Sequence, residues 1–94
     1  MLEQLKFPKE IAKEIAENEK KKRKMRKLTQ RQLSQYSGIS LASLKRFEQT
    51  GEISLVSLLK IAFVLDESSR FAELFAGGEY RSIQEVIDER NQSR

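Results

Sequence analysis

The sequence predicts a small all-α domain of five to six helices. Apolar residues recur every three to four positions through most of the chain, and no stretch alternates as a strand would. Residues that cap helix N-termini precede several of these stretches, and glycines follow them. The 94 residues, of which 38% are hydrophobic and 34% charged, have the composition of one globular domain rather than of a disordered chain.

The first helix is predicted to begin at Pro8, which fits the first turn of a helix because it has no N–H to leave unpaired. The helix runs to about Lys27, and Ile11 and Ile15 give it a short apolar face. Its C-terminal end, from Lys20 onward, has seven basic residues in eight. Positive charge at this end interacts favourably with the helix dipole.

A second, short helix is predicted after Thr29. Thr29 is a good N-cap, and Gln32 completes a capping box with it. The helix continues to about Tyr36, which we expect to be partly buried together with Leu33. Gly38 follows at a sharp turn, where only glycine adopts a positive φ without strain.

A third helix is predicted from Leu41 to about Thr50, with Ser40 as its N-cap and Gly51 at its end. Its inward positions are Leu44, Phe47 and Glu48. Two short helices joined by a tight turn that contains glycine are typical of a helix-turn-helix.

A fourth helix, capped by Ser54, has the most apolar pattern in the chain and is predicted to be the centre of the core. Its stripe consists of Leu55, Leu58, Leu59, Ala62 and Leu65, widened by Ile61 and Phe63. Ser68 or Ser69 is expected to cap a fifth helix, which carries Phe71, Leu74 and Phe75.

Gly77 and Gly78 divide the chain into a helix-turn-helix domain, residues 1–78, and a C-terminal helical segment, residues 79–94. In the segment, Ser82 and Glu85 form another capping box. Its apolar residues are Ile83, Val86 and Ile87.

The region from 28 to 62 resembles the lambda-repressor-like family, also called the Cro or XRE family, of bacterial and phage transcription regulators. The resemblance is carried by Leu28-Thr29-Gln30, by Gly38-Ile39-Ser40, by Phe47-Glu48 and by the stretch from Ser54 to Ala62. It covers roughly residues 16–76 and implies a domain that binds operator DNA as a dimer. Residues 47–55 also resemble a subgroup that includes HipB-type antitoxins, for which autoregulation beside a toxin gene is a second expected role.

The resemblance also implies a structural ion pair. The family often pairs an arginine at the position of Arg23 with the glutamate that matches Glu48, which would fix the first helix to the third. The family usually has apolar residues at the positions of Glu19 and Arg26, and this chain departs from that pattern.

The residues predicted to contact DNA lie at the N-terminal ends of the second and third helices. In this motif the third helix enters the major groove, and the second lies across the DNA backbone. The outward residues of the third helix and its cap are Ser40, Leu41, Ala42 and Ser43, followed by Lys45 and Arg46. The hydroxyls of Ser40 and Ser43 are within reach of phosphate, although capping alone also explains Ser40.

Arg46 is the predicted base reader, because a guanidinium can bond O6 and N7 of guanine together. Lys45 can reach a base or a phosphate, and Leu41 and Ala42 can contact a thymine methyl group. A solvated surface is the alternative explanation for both cations. Gln30 is expected to contact phosphate, since family residues at its position do so through a helix N-terminus.

The charge distribution favours a polyanionic partner. Residues 1–46 contain 13 Lys and Arg against 5 Asp and Glu, whereas residues 47–94 contain 5 against 9. The basic half is the one that contains the helix-turn-helix, and the lysines of the basic run are expected to attract DNA of any sequence. The alternative is that these charges only solvate the surface.

No catalytic site, metal or cofactor is expected. The chain has neither cysteine nor histidine, and its acidic residues are scattered. No apolar run approaches 18 residues, so we expect a soluble, cytoplasmic protein without membrane contact.

Two partner questions follow from the pattern. We expect a homodimer held through Ile83, Val86 and Ile87, or the same residues contacting a toxin, unless the segment folds back on its own domain. A protein-interaction module that does not bind DNA is the remaining alternative, and the apolar Leu41 and Ala42 favour it to some degree.

Overall fold

The computed structural model describes residues 6–78 together with residues 87 and 90, and this part of the chain is all helical. Its helices are α1 (Pro8–Met25), α2 (Gln30–Ser37), α3 (Leu41–Thr50), α4 (Leu55–Val64) and α5 (Ser68–Ala72). The all-α prediction is therefore confirmed. Ile87 and Arg90 are helical, but the predicted sixth helix and the rest of residues 79–94 lie outside the described residues.

Side-chain caps begin three of the helices as predicted. The hydroxyls of Thr29, Ser40 and Ser54 each accept a hydrogen bond from a backbone N–H in the first turn of α2, α3 and α4. The prediction for α5 was wrong, because its N-cap is Glu67, which makes no side-chain capping bond. Ser68 and Ser69 lie inside the first turn instead.

The core lies where α1, α2 and α4 close around α3 and the turn before it. Helix α1 packs on α3, α2 packs on α3 and α4, and α4 packs on α5. The buried apolar residues are Ala16, Leu33, Ile39, Leu44, Phe47, Ile61, Ala62 and Leu65. The helix-turn-helix is thus held from behind by the rest of the domain.

Helix α4 contributes only one of its sides to this core, contrary to the prediction. Ile61, Ala62 and Leu65 are buried, whereas Leu55, Val56, Leu59 and Phe63 are exposed. The other four helices cover only part of the surface of α4, so a helix that is apolar almost all round leaves one stripe outside. Tyr36, predicted to be partly buried, is exposed as well.

No helix in the described part of the chain is both long enough and apolar enough to span a membrane.

Gly51 ends α3 at a point where the chain touches the backbone of α1. Its φ is +83°, and a Cβ at this position would lie 2.8 Å from the carbonyl carbon of Ala12 and 2.9 Å from the nitrogen of Lys13. Gly38 has a similar φ of +78°, but a Cβ there would meet no atom within 4 Å. Both positions therefore require a residue that adopts a positive φ. Only position 51 also requires a residue without a Cβ, because a Cβ there would clash with α1.

We therefore expect Gly51→Ala to lower the free energy of unfolding by about 2–4 kcal/mol, from left-handed strain and a backbone clash together. Gly38→Ala is the matched control and should lower it by about 1–2 kcal/mol through strain alone. Urea denaturation followed by circular dichroism measures both. Equal losses would show that α1 does not approach Gly51 closely.

Candidate nucleic-acid interface

Local hydrogen bonds fix both the start of α2 and the turn between α2 and α3. The Gln32 N–H donates to Thr29 Oγ1 at 3.0 Å, and the Thr29 N–H donates to Gln32 Oε1 at 2.9 Å. The Ser34 hydroxyl donates to the carbonyl of Ile39 at 2.6 Å, and the Ile39 side chain is buried. Gly38 reverses the chain in the left-handed conformation. The angle between α2 and α3 is therefore set locally.

Helix α3 presents the predicted contact residues on its outer side. Leu44 and Phe47 are buried, which directs the positions between them away from the core. Exposed or partly exposed are Leu41, Ala42, Ser43, Lys45 and Arg46. All five side chains are therefore at least partly accessible to a partner from outside the domain.

Ser40 and Ser43 are bonded to each other in the free protein. The Ser40 hydroxyl donates to Ser43 Oγ at 2.8 Å and accepts from the Ser43 N–H at 3.0 Å. Ser40 is therefore occupied by capping. Ser43 Oγ remains exposed on the outer surface.

Arg46 has an acidic partner that the sequence did not indicate. Its Nε and Nη2 donate to the same oxygen of Glu52, at 3.2 and 2.7 Å. Hydrogen bonding from Arg46 lowers the pKa of Glu52 below its ordinary value. Both side chains are largely exposed, so the pair is weak and a stronger acceptor can replace it.

Behind this surface, a buried cluster fixes α3 to α1 and α2. Arg23 donates to both oxygens of Glu48, from Nε at 2.8 Å and from Nη2 at 2.9 Å, and from Nη1 to the carbonyl of Leu28 at 2.9 Å. Gln30 Nε2 donates to Glu48 Oε1 at 3.0 Å. The predicted ion pair between Arg23 and Glu48 is confirmed. Gln30, predicted to contact phosphate, also has this structural role.

Glu19 is a further member of this buried cluster, which the sequence did not predict. It is 8% exposed, and neither of its carboxylate oxygens receives a hydrogen bond within the described part of the chain. Burial, together with hydrogen bonding and charge repulsion from Glu48, raises the pKa of Glu19 to about 9. Glu19 is therefore protonated at neutral pH, and as an acid it can donate to Glu48.

The interaction with Glu19 also helps to keep Glu48 ionised. Burial alone would raise the pKa of Glu48, but hydrogen bonds from Arg23, Glu19 and Gln30 hold it below its ordinary value. Glu19 thus fills an apolar position of the family pattern with a neutral acid. Arg26, the other departure, is partly exposed at the end of α1.

The basic run is divided between structural ion pairs and exposed lysines. Arg23 is buried against Glu48, Lys22 lies 3.5 Å from Glu67, and Arg26 lies 3.8 Å from Asp66. The other four cations of the run are exposed, namely Lys20, Lys21, Lys24 and Lys27. These four are available for long-range attraction of a polyanion.

Comparison with known proteins gives one match. The family model described as helix-turn-helix, of the Cro/C1 type, matches residues 20–71, which is more than half of the chain. The match includes the whole of α2, α3 and α4 and the basic end of α1. Neither the curated proteins nor the solved structures contain a match to the chain.

The raised pKa of Glu19 predicts how stability depends on pH. The folded protein holds a proton on Glu19 up to about pH 9, whereas the unfolded chain releases it near 4.5. The contribution of Glu19 to stability is therefore largest below pH 4.5, and it falls by at most about 1.4 kcal/mol per pH unit between these two values. We expect Glu19→Gln to remove this slope and to stabilise the protein at pH 8.

Glu17→Gln is the matched control, since Glu17 lies exposed on the same helix and should change stability by less than about 0.5 kcal/mol at any pH. Urea unfolding of the three proteins from pH 5 to pH 9 measures the slopes. Parallel curves for wild type and Glu19→Gln would contradict a protonated Glu19.

Proposed function

Because the chain belongs to the Cro/C1-type helix-turn-helix family of DNA-binding regulators, we propose that it binds a specific operator sequence as a dimer and represses transcription. The observation that carries the proposal is the outer surface of α3, which exposes the two cations Lys45 and Arg46. This helix is held by the cluster of Arg23, Glu48 and Gln30. A rigid helix is what base reading requires, because each contact depends on placing a side chain within a hydrogen bond of one base edge.

In the proposed complex the N-terminal half of α3 lies in the major groove. Arg46 reads a guanine, Lys45 reaches a base or a phosphate, and Leu41 and Ala42 contact thymine methyl groups. Ser43 donates to a phosphate oxygen, and Ser40 contributes to phosphate binding mainly by capping the helix. As a regulator of transcription, the protein is proposed to act in the cytoplasm.

Arg46 must exchange one partner for another when DNA binds. In the free protein, Glu52 accepts from its Nε and Nη2. Guanine offers two acceptors in the plane of a guanidinium, which makes it a better partner than one exposed carboxylate oxygen. Glu52 is therefore the partner of the Arg46 side chain in the free protein, and a guanine replaces Glu52 when DNA binds.

Gln30 is proposed to act in two ways. Its side-chain amide supports Glu48 from the first turn of α2, and its backbone N–H is one of the donors at that helix N-terminus. A phosphate of the DNA backbone is the partner that such a helix end favours.

An antitoxin role is the second candidate function. It would add a toxin partner to the same DNA-binding domain, and the groove lined by Phe71 and Leu74 offers an apolar surface for one. Residues 79–94 are proposed as a C-terminal segment that contacts a second subunit or such a partner. A HipA-like kinase gene beside this one would favour this candidate over a regulator without a toxin.

A protein-interaction module without DNA binding is the competing explanation. A gel-shift titration on fragments of the gene's own promoter, at low and at moderate salt, distinguishes the two. A shift that strengthens as salt is lowered supports DNA binding, whereas no shift on any fragment at low salt supports the interaction module.

Arg46→Ala is expected to weaken binding to the selected operator by about 1–3 kcal/mol and to relax the preference at one base pair. Arg46→Lys is the matched control for charge: it keeps the cation but lacks the planar fork, so it should recover affinity for random DNA and not the base preference. Selection of binding sites from a random library, followed by titration, measures both effects. An unchanged consensus sequence for Arg46→Ala would refute the assigned base contact.

Replacing Lys20 and Lys24 with Gln is expected to weaken binding equally on specific and random DNA. The slope of log affinity against log salt should become less steep by about one unit for each phosphate that the variant no longer binds. Replacing Lys60 and Arg70 with Gln removes the same charge from α4 and α5 and should leave the slope closer to that of wild type. If both double variants give the wild-type slope, the lysines of the run face away from DNA.

A further inference from the structure

Four apolar side chains form one exposed stripe along α4. Val56, Leu59 and Phe63 stand at positions i, i+3 and i+7, and they are 63%, 38% and 76% exposed. Leu55, one turn before Leu59, is 63% exposed. We call these four residues the α4 stripe. The i, i+3, i+7 spacing is the one at which helices pack against each other side by side.

The stripe borders a shallow cleft that α2 helps to form. Tyr36, 63% exposed at the C-terminal end of α2, lies beside Val56 and Phe63, and Lys60 closes the cleft on the polar side. The cleft has a volume of about 260 Å³. It is wide enough for the apolar side chains of a facing helix and offers few polar groups to bind a small molecule.

The exposed area is large for a monomer of this size. With side chains of the size of phenylalanine burying about 150–250 Å² each, the stripe and Tyr36 together expose on the order of 600 Å² of mostly apolar surface. Single exposed apolar residues are common, but a contiguous patch of this size usually marks an interaction site. Two such patches buried against each other would remove about 1,200 Å², the lower limit for a specific protein–protein interface.

We propose that the α4 stripe is the surface through which two copies of this chain associate. The proposal rests on the proposed function, because a protein that reads two half-sites with one helix-turn-helix each requires a second copy of itself. A two-fold axis brings the same surface of both subunits together, so the stripe of one copy packs on the stripe of the other. The heptad-like spacing allows these two α4 helices to interlock.

The position of the stripe suits this role. None of its residues lines the cleft that Ser43 and Arg46 share with Ser54 and Ser57, so association through the stripe would leave the recognition helices free for DNA. The stripe is also separate from the second apolar groove of the domain, which lies between α1, α4 and α5. That groove has a volume of about 450 Å³ and is lined by Ile15, Ile61, Phe71 and Leu74, among others. Leu74, which follows α5, lines that groove, whereas no residue after α4 lines the cleft beside the stripe.

The first test replaces two exposed residues of the stripe. Val56→Glu with Phe63→Glu puts like charges into a two-fold interface while leaving the monomer's core intact. Phe75→Glu is the matched control, because Phe75 is apolar and fully exposed but lies after α5. In sedimentation equilibrium, the stripe variant should dissociate at least ten-fold more readily than wild type, and Phe75→Glu should match wild type. Circular dichroism at each concentration confirms that the variants are folded.

A positive test uses the absence of cysteine from the chain. Leu59→Cys introduces one thiol at the centre of the stripe, and Phe75→Cys introduces one outside it. Under mild oxidation, Leu59→Cys should form a disulfide-linked dimer within the concentration range where wild type self-associates, and Phe75→Cys should not. This test does not depend on whether the charged variant folds.

Three outcomes would overturn the proposal: a stripe variant that associates like wild type, no cross-link at Leu59, or a wild-type protein that is monomeric at every concentration. Loss of association only in a chain with Ile83→Asp and Ile87→Asp would assign the interface to the C-terminal segment instead. Binding to a DNA fragment with one half-site is measured separately. If wild type does not bind the single half-site, the proposed function is refuted. If a stripe variant binds the single half-site normally and fails only on paired half-sites, both proposals are supported.

Discussion

A buried ion pair between Arg23 on α1 and Glu48 on α3 fixes the recognition helix in this domain. All three nitrogens of the Arg23 guanidinium are used, two by Glu48 and one by the carbonyl of Leu28, so that one side chain connects α1, α3 and the start of α2. Removing one partner of such a pair strands a buried charge and costs about 3–5 kcal/mol. The outer surface of α3, which is proposed to face DNA, therefore depends on residues that the proposal does not place in contact with DNA.

Glu19 changes how the charges of this cluster balance. Two carboxyl groups share one guanidinium, and the cluster avoids a net negative charge in the core because Glu19 holds a proton. Protonated Glu19 can donate to Glu48, which remains the ionised partner of Arg23. An apolar residue at position 19 would leave that pair with fewer hydrogen bonds and with no titrating neighbour. Within the cluster, the link between α1 and α3 is thus sensitive to pH in a way that an aliphatic residue would not permit.

The parts of the fold that local chemistry determines were predictable from the sequence. Thr29, Ser40 and Ser54 cap their helices, and Gly38 and Gly51 adopt a positive φ, as short-range rules require. Which side of α4 is buried could not be predicted, because Leu59 and Ile61 are equally apolar. Only the packing of the other helices decides which of the two is covered. The pairing of Arg46 with Glu52 was missed for a similar reason: it crosses the end of α3, and no sequence spacing indicates the path of the chain after Gly51. The outward positions on α3 could be predicted from the helical spacing of its apolar residues. Which of them contact DNA depends on the DNA itself, and the sequence of the protein does not specify that partner.

Part of the charge contrast between the two halves of the chain is neutralised by ion pairs within the domain. Asp66 and Glu67, at the junction of α4 and α5, lie beside Arg26 and Lys22, so part of the acidic half neutralises part of the basic run. What remains for DNA is a smaller set of lysines on α1 and the cations of α3. The apolar stripe of α4 carries none of these charges, and Lys60 only borders it. The cations of α3 and the stripe therefore border different clefts. If both proposals hold, one small chain can bind a polyanion without burying the surface through which it binds a second copy.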